Sequence, residues 1–322
     1  MADDSIQFEV VDSNMSDLFG QQANTSPIKT TVAADNMTMD QKIREYVAKY
    51  NPKLYILTPC YGGTCFVNYV HCMMATVELF RMFNIQLKVE FCKNDSLVTR
   101  ARNNLVARAM YDPKMTHLMF IDADITWDPI DILKLLISNK PLIGGVYPLK
   151  HHHWEKLVKD PQNPYNSNMV QTLINKKNNS QFKDSISDVD MIQYSMVNYN
   201  VNYLSNTLKI EDNLAKVKHL ATGFMMIQRK VFEKMFQAFP STKYVDDVSF
   251  LRPEENEFAY GTFETGVYNE TDSPGGSRYL SEDFFFCLKW SKLSGEIYID
   301  VSINLTHSGI CDFKGSYISS II

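Results

Sequence analysis

The sequence lacks any apolar run of the length, about 18 residues, that a membrane helix needs. Its first 19 residues, MADDSIQFEVVDSNMSDLF, are acidic and polar where a secretory leader is basic and then apolar. No integral membrane segment is therefore expected, and the expected location is cytoplasmic. A cationic excess is missing as well. The chain carries 32 basic against 37 acidic side chains, a net charge of -5, which argues against nucleic acid as a partner. Cysteine is sparse. The six thiols (Cys60, Cys65, Cys72, Cys92, Cys287 and Cys311) include no CxxC pair, so they read as buried free thiols of a reducing compartment and not as zinc ligands. Sequons such as those at Asn24, Asn94 and Asn304 read, without a leader, as accidents of an Asn-rich chain.

What is present is a normal globular composition. With 322 residues and 45% hydrophobic side chains, the chain suits one large α/β domain or two joined halves. Residues 1–40 show no sustained period and read as a flexible tail. From Lys53 onward, strand and helix patterns alternate. Leu54–Leu57, Leu87–Phe91, His117–Ile121 and Leu142–Tyr147 read as buried strands. Between them lie helical stretches at Thr64–Phe83, with Val67, Val70, Met74, Val77 and Met82 at helical spacing, at Leu97–Tyr111 and at Pro129–Ile137. Such alternation implies a mostly parallel central sheet, with ligands at the carboxyl ends of its strands. Residues 151–218 lose this order and read as a long insertion with a hairpin near Tyr199–Leu204, suited to a lid. A strand at Leu220–Ile227, a helix at Lys230–Phe239, a helix capped by Ser281 and a strand at Glu296–Ile303 complete the chain. Residues 41–322 thus form one domain with a donor half at 53–150, the insertion, and an acceptor half at 219–322.

The sharpest chemical signal is Leu118-Met119-Phe120-Ile121-Asp122-Ala123-Asp124. An apolar strand ends in two carboxylates which, with a side-chain period of two, can face one side. Two hard oxygen ligands suit Mg²⁺ or Mn²⁺ when a diphosphate supplies further oxygens. Farther on, Ser281-Glu282-Asp283 places two carboxylates at a helix start, where the helix dipole alone would favour an acid. His307 follows a strand and precedes a small-residue turn. The triplet His151-His152-His153 reads as exposed. Trp127, Trp154 and Trp290 could stack on sugars, with the core as the default place for Trp290.

A DxD after the third strand of a βα series resembles the GT-A glycosyltransferases, which use nucleotide-sugar donors; the resemblance spans about Leu54 to Tyr317. It implies a GT-A-type, Rossmann-like α/β fold and a donor such as a UDP- or GDP-sugar, with a glycan or protein acceptor. It also implies a Mn²⁺ or Mg²⁺ cofactor held by Asp122, Asp124 and His307, the imidazole favouring Mn²⁺. Thr58, Pro59 and Tyr61 match the start of the family's nucleotide pocket, and Asn94 and Asp95 its base and ribose contacts. Arg100, Arg102 and Asn103 fall where donor-binding residues stand, Ala123 lies within the DxD, and Lys314 is placed to contact the diphosphate. Thr222-Gly223-Phe224 resembles the acceptor-side segment, where glycine lets substrate approach the backbone. Glu282-Asp283 resembles the pair that supplies the catalytic base, with Asp283 favoured over Glu282. Two other readings stand beside this one. Asp122-Ala123-Asp124-Ile125-Thr126 also fits the DxDxT of haloacid-dehalogenase-like phosphatases, with Asp246-Asp247 as the later acidic pair. A catalytically silent protein that binds a nucleotide sugar or glycan is the other.

Overall fold

The structure, a computed structural model, describes residues 7–10, 37–158, 169–180, 183–269 and 276–311. Strand β1 (Gln7–Val10) lies within the stretch expected to be a tail, and runs parallel to a strand of the central sheet. Helix α1 (Met39–Tyr50) begins at a capping box, in which Thr38 and Gln41 satisfy each other's backbone N–H. It ends at Asn51, whose left-handed backbone (φ 42°) closes the helix. Then come β2 (Lys53–Cys60), α2 (Val67–Met82), β3 (Gln86–Lys93), α3 (Val98–Met110) and β4 (His117–Ile121). A short β5 (Ile125–Thr126) precedes α4 (Pro129–Ile137), where Asp128 caps the helix and proline fills its first turn. Strand β6 (Leu142–Gly144) ends this half.

The helix α2 exists where the sequence places it, but the opposite face is buried. Val67, Val70, Met74, Val77 and Met82 are exposed, whereas Tyr69, Met73, Thr76 and Phe80 face the core. Both sets recur at helical spacing, and size decides between them. A large side chain contributes about 1.5–3 kcal/mol on burial, which favours the stripe with two aromatics. Tyr69 also meets Thr58 through a 2.6 Å hydroxyl–hydroxyl hydrogen bond inside the sheet layer.

The insertion is more ordered than its composition suggests. It contains α5 (Glu155–Val158), α6 (Met169–Asn178), α7 (Asp188–Ser195) and β7 (Val201–Asn202). Its hairpin is not at Tyr199–Leu204 but is formed by β8 (Thr207–Glu211) and β9 (Leu214–Lys216). Asp212 and Asn213, both at positive φ, make the two-residue turn that matches strand twist. Next come β10 (His219–Leu220), β11 (Phe224–Gln228) and α8 (Arg229–Ala238). A second hairpin, β12 (Gly266–Asn269) with β13 (Ser277–Leu280), leads into α9 (Glu282–Lys292), and β14 (Tyr298–Asp300) and β15 (Thr306–His307) come last.

The nine-stranded sheet has the order β1-β8-β9-β14-β6-β11-β4-β2-β3. It is mixed and not mostly parallel. The β3-β2-β4 side is parallel, as expected, but β11 lies antiparallel between β4 and β6. The cause is local. Asp122 N–H donates to Gly223 C=O at 3.0 Å, so the chain enters β11 beside the end of β4 and runs back along it. Side chains of β4 alternate between two cores, Leu118 and Phe120 on one face and Met119 and Ile121 on the other. All four are fully buried, which fixes the register by which the next residues emerge. Cys60, Cys92 and Cys287 are buried thiols as expected, but Cys65 and Cys311 are exposed.

The β6–β11 contact leaves no room for a side chain at Gly144. A Cβ there would stand 2.2 Å from Phe224 C=O. Gly144→Ala is expected to cost about 1–3 kcal/mol of stability through forced strand separation, measured by chemical denaturation.

Candidate functional site

Two charge clusters form where β4 gives out, one around Asp122 and one around Asp124. Arg102, from the middle of α3, is 4% exposed. Its Nη2 donates to Asp122 Oδ1 at 3.0 Å and its Nε to Glu282 Oε1 at 3.2 Å. The guanidinium lies over the Phe120 ring, 5.2 Å from its centroid. Nη1 is buried and has no hydrogen-bond partner among the described residues. A buried donor without an acceptor is costly, about 1–3 kcal/mol, and this one borders both acidic motifs.

Asp122 is further held by its surroundings. A Cβ on Gly223 would come within 2.8 Å of Asp122 Oδ2 and 2.7 Å of the Tyr147 hydroxyl. The glycine at this position admits two of the protein's own side chains to the backbone, where substrate was expected. Asp283 follows Glu282 in the first turn of α9 and is nearly buried. Burial pushes its carboxyl pKa up, and the neighbouring Glu282 charge adds to the rise. Hydrogen bonds from the Ser281 hydroxyl and from Phe284 N–H act in the opposite direction. Glu282 is tied to Arg102, whereas Asp283 makes no hydrogen bond to that guanidinium.

The second cluster is built by a two-stranded ribbon. Antiparallel pairing of β5 with β15 sets His307 opposite Ile125. Ser308 N–H donates to Asp124 C=O at 2.8 Å. His307 Nε2 stands 3.4 Å from Asp124 Oδ2, and its Nδ1 is 2.9 Å from Pro148 C=O. A carbonyl only accepts, so Nδ1 carries a proton; Nε2, the nitrogen nearer Asp124, donates to it when protonated and offers a lone pair only when not. Lys150 Nζ contacts the same Asp124 oxygen. Burial alone would raise the Asp124 pKa, but hydrogen bonds and charge from His307 and Lys150 hold it below the ordinary carboxylate value. As to a divalent cation, the chemistry of Asp124 and His307 fits: a hard carboxylate oxygen stands 3.4 Å from an imidazole nitrogen that could ligate once it gives up its proton. Asp122 departs from the expected trio because Arg102 draws it away. Among the described residues, no group of three or more His, Cys, Asp or Glu side chains converges as metal ligands.

The remaining expected residues separate. Asp95 and Arg100 satisfy each other through two 2.9 Å hydrogen bonds, and Asp95 also accepts from Leu97 N–H. Asn103 does not face a donor. It is buried and locks the Thr262–Phe263 segment through Phe263 C=O, Phe263 N–H and the Thr262 hydroxyl. Thr58 is fully buried against Tyr69, Pro59 is half-buried and Tyr61 is exposed. Asn94 takes a left-handed backbone (φ 60°) and lies near Gly63 at the end of β2. Ala123 anchors the start of α2 by accepting from Phe66 N–H at 2.9 Å. Exposed Tyr61, Phe66 and Phe91 leave an apolar rim at this carboxyl edge of the sheet. Lys314 lies outside the described residues.

Asp246, the later acid that a phosphatase would need, accepts from the backbone N–H of Phe250 and Leu251 and from Asn104, and so organises a loop. Of the tryptophans, Trp127 and Trp290 are core and Trp154 is exposed. His151 is exposed, as expected, while His152 and His153 are half-buried. Lys150 and Tyr147 are absent from any motif in the sequence. Their only signal is position, just beyond the fourth strand at the edge where ligands bind.

No family model matches the chain, and no curated protein matches it. Among solved structures, protein A197 from STIV is similar at 14% identity with a TM-score of 0.41, covering 80% of this chain and 86% of that one. That likeness bears on neither the fold nor the activity.

The raised Asp283 pKa has a consequence for stability. The unfolded chain ionises this carboxyl near the usual value of about 3.9, and the folded chain only at higher pH. The penalty is therefore absent below about pH 4 and complete above the folded value. Asp283→Asn, which keeps the acceptor oxygen, is expected to raise stability at pH 7 and to match the wild type at acid pH. Denaturation curves at the two pH values check this.

Proposed function

We propose that the protein transfers a sugar from a nucleoside-diphosphate sugar to an acceptor hydroxyl, within a GT-A-type, Rossmann-like frame. The observation that carries the reading is the Arg102 bridge. One buried guanidinium joins Asp122 at the end of β4 to Glu282 at the start of α9, next to Asp283, with its Nη1 amino group bonded to neither. Donor phosphate and acceptor base are then neighbours, as a direct displacement requires.

Arg102 supplies the positive charge that attracts the donor phosphate, and its Nη1, covered in this structure, donates to that phosphate once the site opens. Tyr61, Phe66 and Phe91, with Asn94 nearby, offer the apolar rim on which a base stacks. Asp124 and His307 would hold Mn²⁺ or Mg²⁺, which supplies neutralisation of the departing diphosphate when bound. Asp283 takes the proton of the acceptor hydroxyl, its raised pKa keeping it a usable base near neutral pH. Its burial beside Phe286 and Cys287 excludes water from that transfer.

Incubating the protein with Mn²⁺ and a panel of UDP- and GDP-sugars, and measuring release of the nucleoside diphosphate, tests the reading. Turnover with at least one donor is expected. It should fall by a factor of about 10²–10⁴ in Asp283→Asn when an acceptor is present, and lose its metal dependence in Asp124→Ala. Absence of both turnover and donor-induced thermal shift across the panel would overturn it.

A further inference from the structure

The cation that Asp124 holds belongs to the protein itself. Lys150 Nζ and His307 Nε2 both reach one oxygen, Asp124 Oδ2. Lys150 arrives from the segment beyond β6, and its aliphatic stem lies across Gly309. A Cβ on that glycine would stand 2.7 Å from Lys150 Cδ, closer than side chains pack. The backbone at 309 has thus left space for the lysine stem, and the ammonium is delivered to a carboxylate that is only one-quarter exposed. The ammonium itself is exposed, and only its stem and the carboxylate it meets are confined. A divalent ion bound between Oδ2 and the Nε2 lone pair needs the oxygen that the ammonium already occupies.

We propose that Lys150 is a resident cation at Asp124 that competes with the divalent metal, so that metal enters only as the ammonium leaves. The identity of the ion rests on the glycosyltransferase reading above; the competition rests on the geometry alone. Charge balance sets the order of binding. With Lys150 in place, Asp124 is neutralised, and an incoming dication meets one positive charge and no free anion on this side. Once displaced, the ammonium stays tethered beside the site, where the negative charge of a diphosphate compensates it. Metal alone therefore binds weakly, and metal with nucleoside diphosphate binds more tightly. Arg102 differs in this respect. It is buried and holds two carboxylates, so it stays, whereas Lys150 is partly exposed and can swing out.

The test is Mn²⁺ titration of the full chain, free Mn²⁺ being read by electron paramagnetic resonance. Lys150→Met keeps the aliphatic stem over Gly309 and removes the charge. Its Mn²⁺ affinity is expected to exceed that of the wild type roughly five- to tenfold, the factor corresponding to one partly exposed ion pair. Gly309→Ala displaces the stem from the other side and should shift affinity in the same direction. Equal or weaker affinity in Lys150→Met overturns the proposal, whether Mn²⁺ binds both proteins alike or neither. A thermal shift with UDP- or GDP-sugars in EDTA separates the two readings. A shift there, without any Mn²⁺ binding, removes the competition and leaves donor binding standing. Tighter Mn²⁺ binding in Lys150→Met, with no shift by any donor, supports the competition and removes the glycosyltransferase reading.

Discussion

The site depends on one buried guanidinium. Arg102 sits in a helix, pairs with an acid at the end of a strand and with another 180 residues further on, and rests on a phenylalanine of the strand it serves. Asp122 and Glu282 are partly or largely removed from water, and like charges so placed repel strongly unless a cation lies between them. Removing one partner of such a group leaves desolvated charge behind, which is why buried pairs are costly to break even where their net contribution is small. The bridge therefore does more than hold two side chains. It fixes the relative position of α3, β4 and α9, and so of the two acidic motifs.

The two carboxylates of the DxD have divided their work. Asp122 has a buried partner in Arg102. Asp124 has a partly exposed lysine and a histidine whose Nε2 is turned toward it by the Pro148 carbonyl. One half of the motif is rigid, and the other half is open to exchange. This division comes from depth. The chain rises out of the sheet at Asp122, and two residues later it has reached the edge where ligands arrive.

Much of the frame was legible in the sequence. The parallel β2–β4 half reflects apolar strands alternating with helical patterns, and Pro129 stands, as expected, in the first turn of its helix. The position of the DxD beyond a fully buried strand was also readable, because burial on both faces allows only continuous apolar runs. Strand direction was not. Phe224–Gln228 has the same composition whether parallel or antiparallel, and its sense shows only in its antiparallel pairing with β4 and β6, which the Asp122–Gly223 hydrogen bond extends. Nor was the buried face of α2, since valine and methionine mark one stripe and larger aromatics the other. In the site, the family resemblance put Arg102 and Asn103 side by side as equivalents. A helix turns 100° per residue, so one faces the acids and the other the Phe263 segment. Lys150 could not be read at all, because its meaning comes from Gly309, 159 positions away.

The donor site proposed here is organised around Arg102, and the most direct test of that proposal is donor contact with the residue. Saturation-transfer NMR with UDP- and GDP-sugars should show base and ribose signals with the wild-type protein. The signals should vanish with Arg102→Lys, which keeps the charge but loses the forked geometry. Signals of equal strength in the variant, or none from any donor with the wild type, would contradict the account.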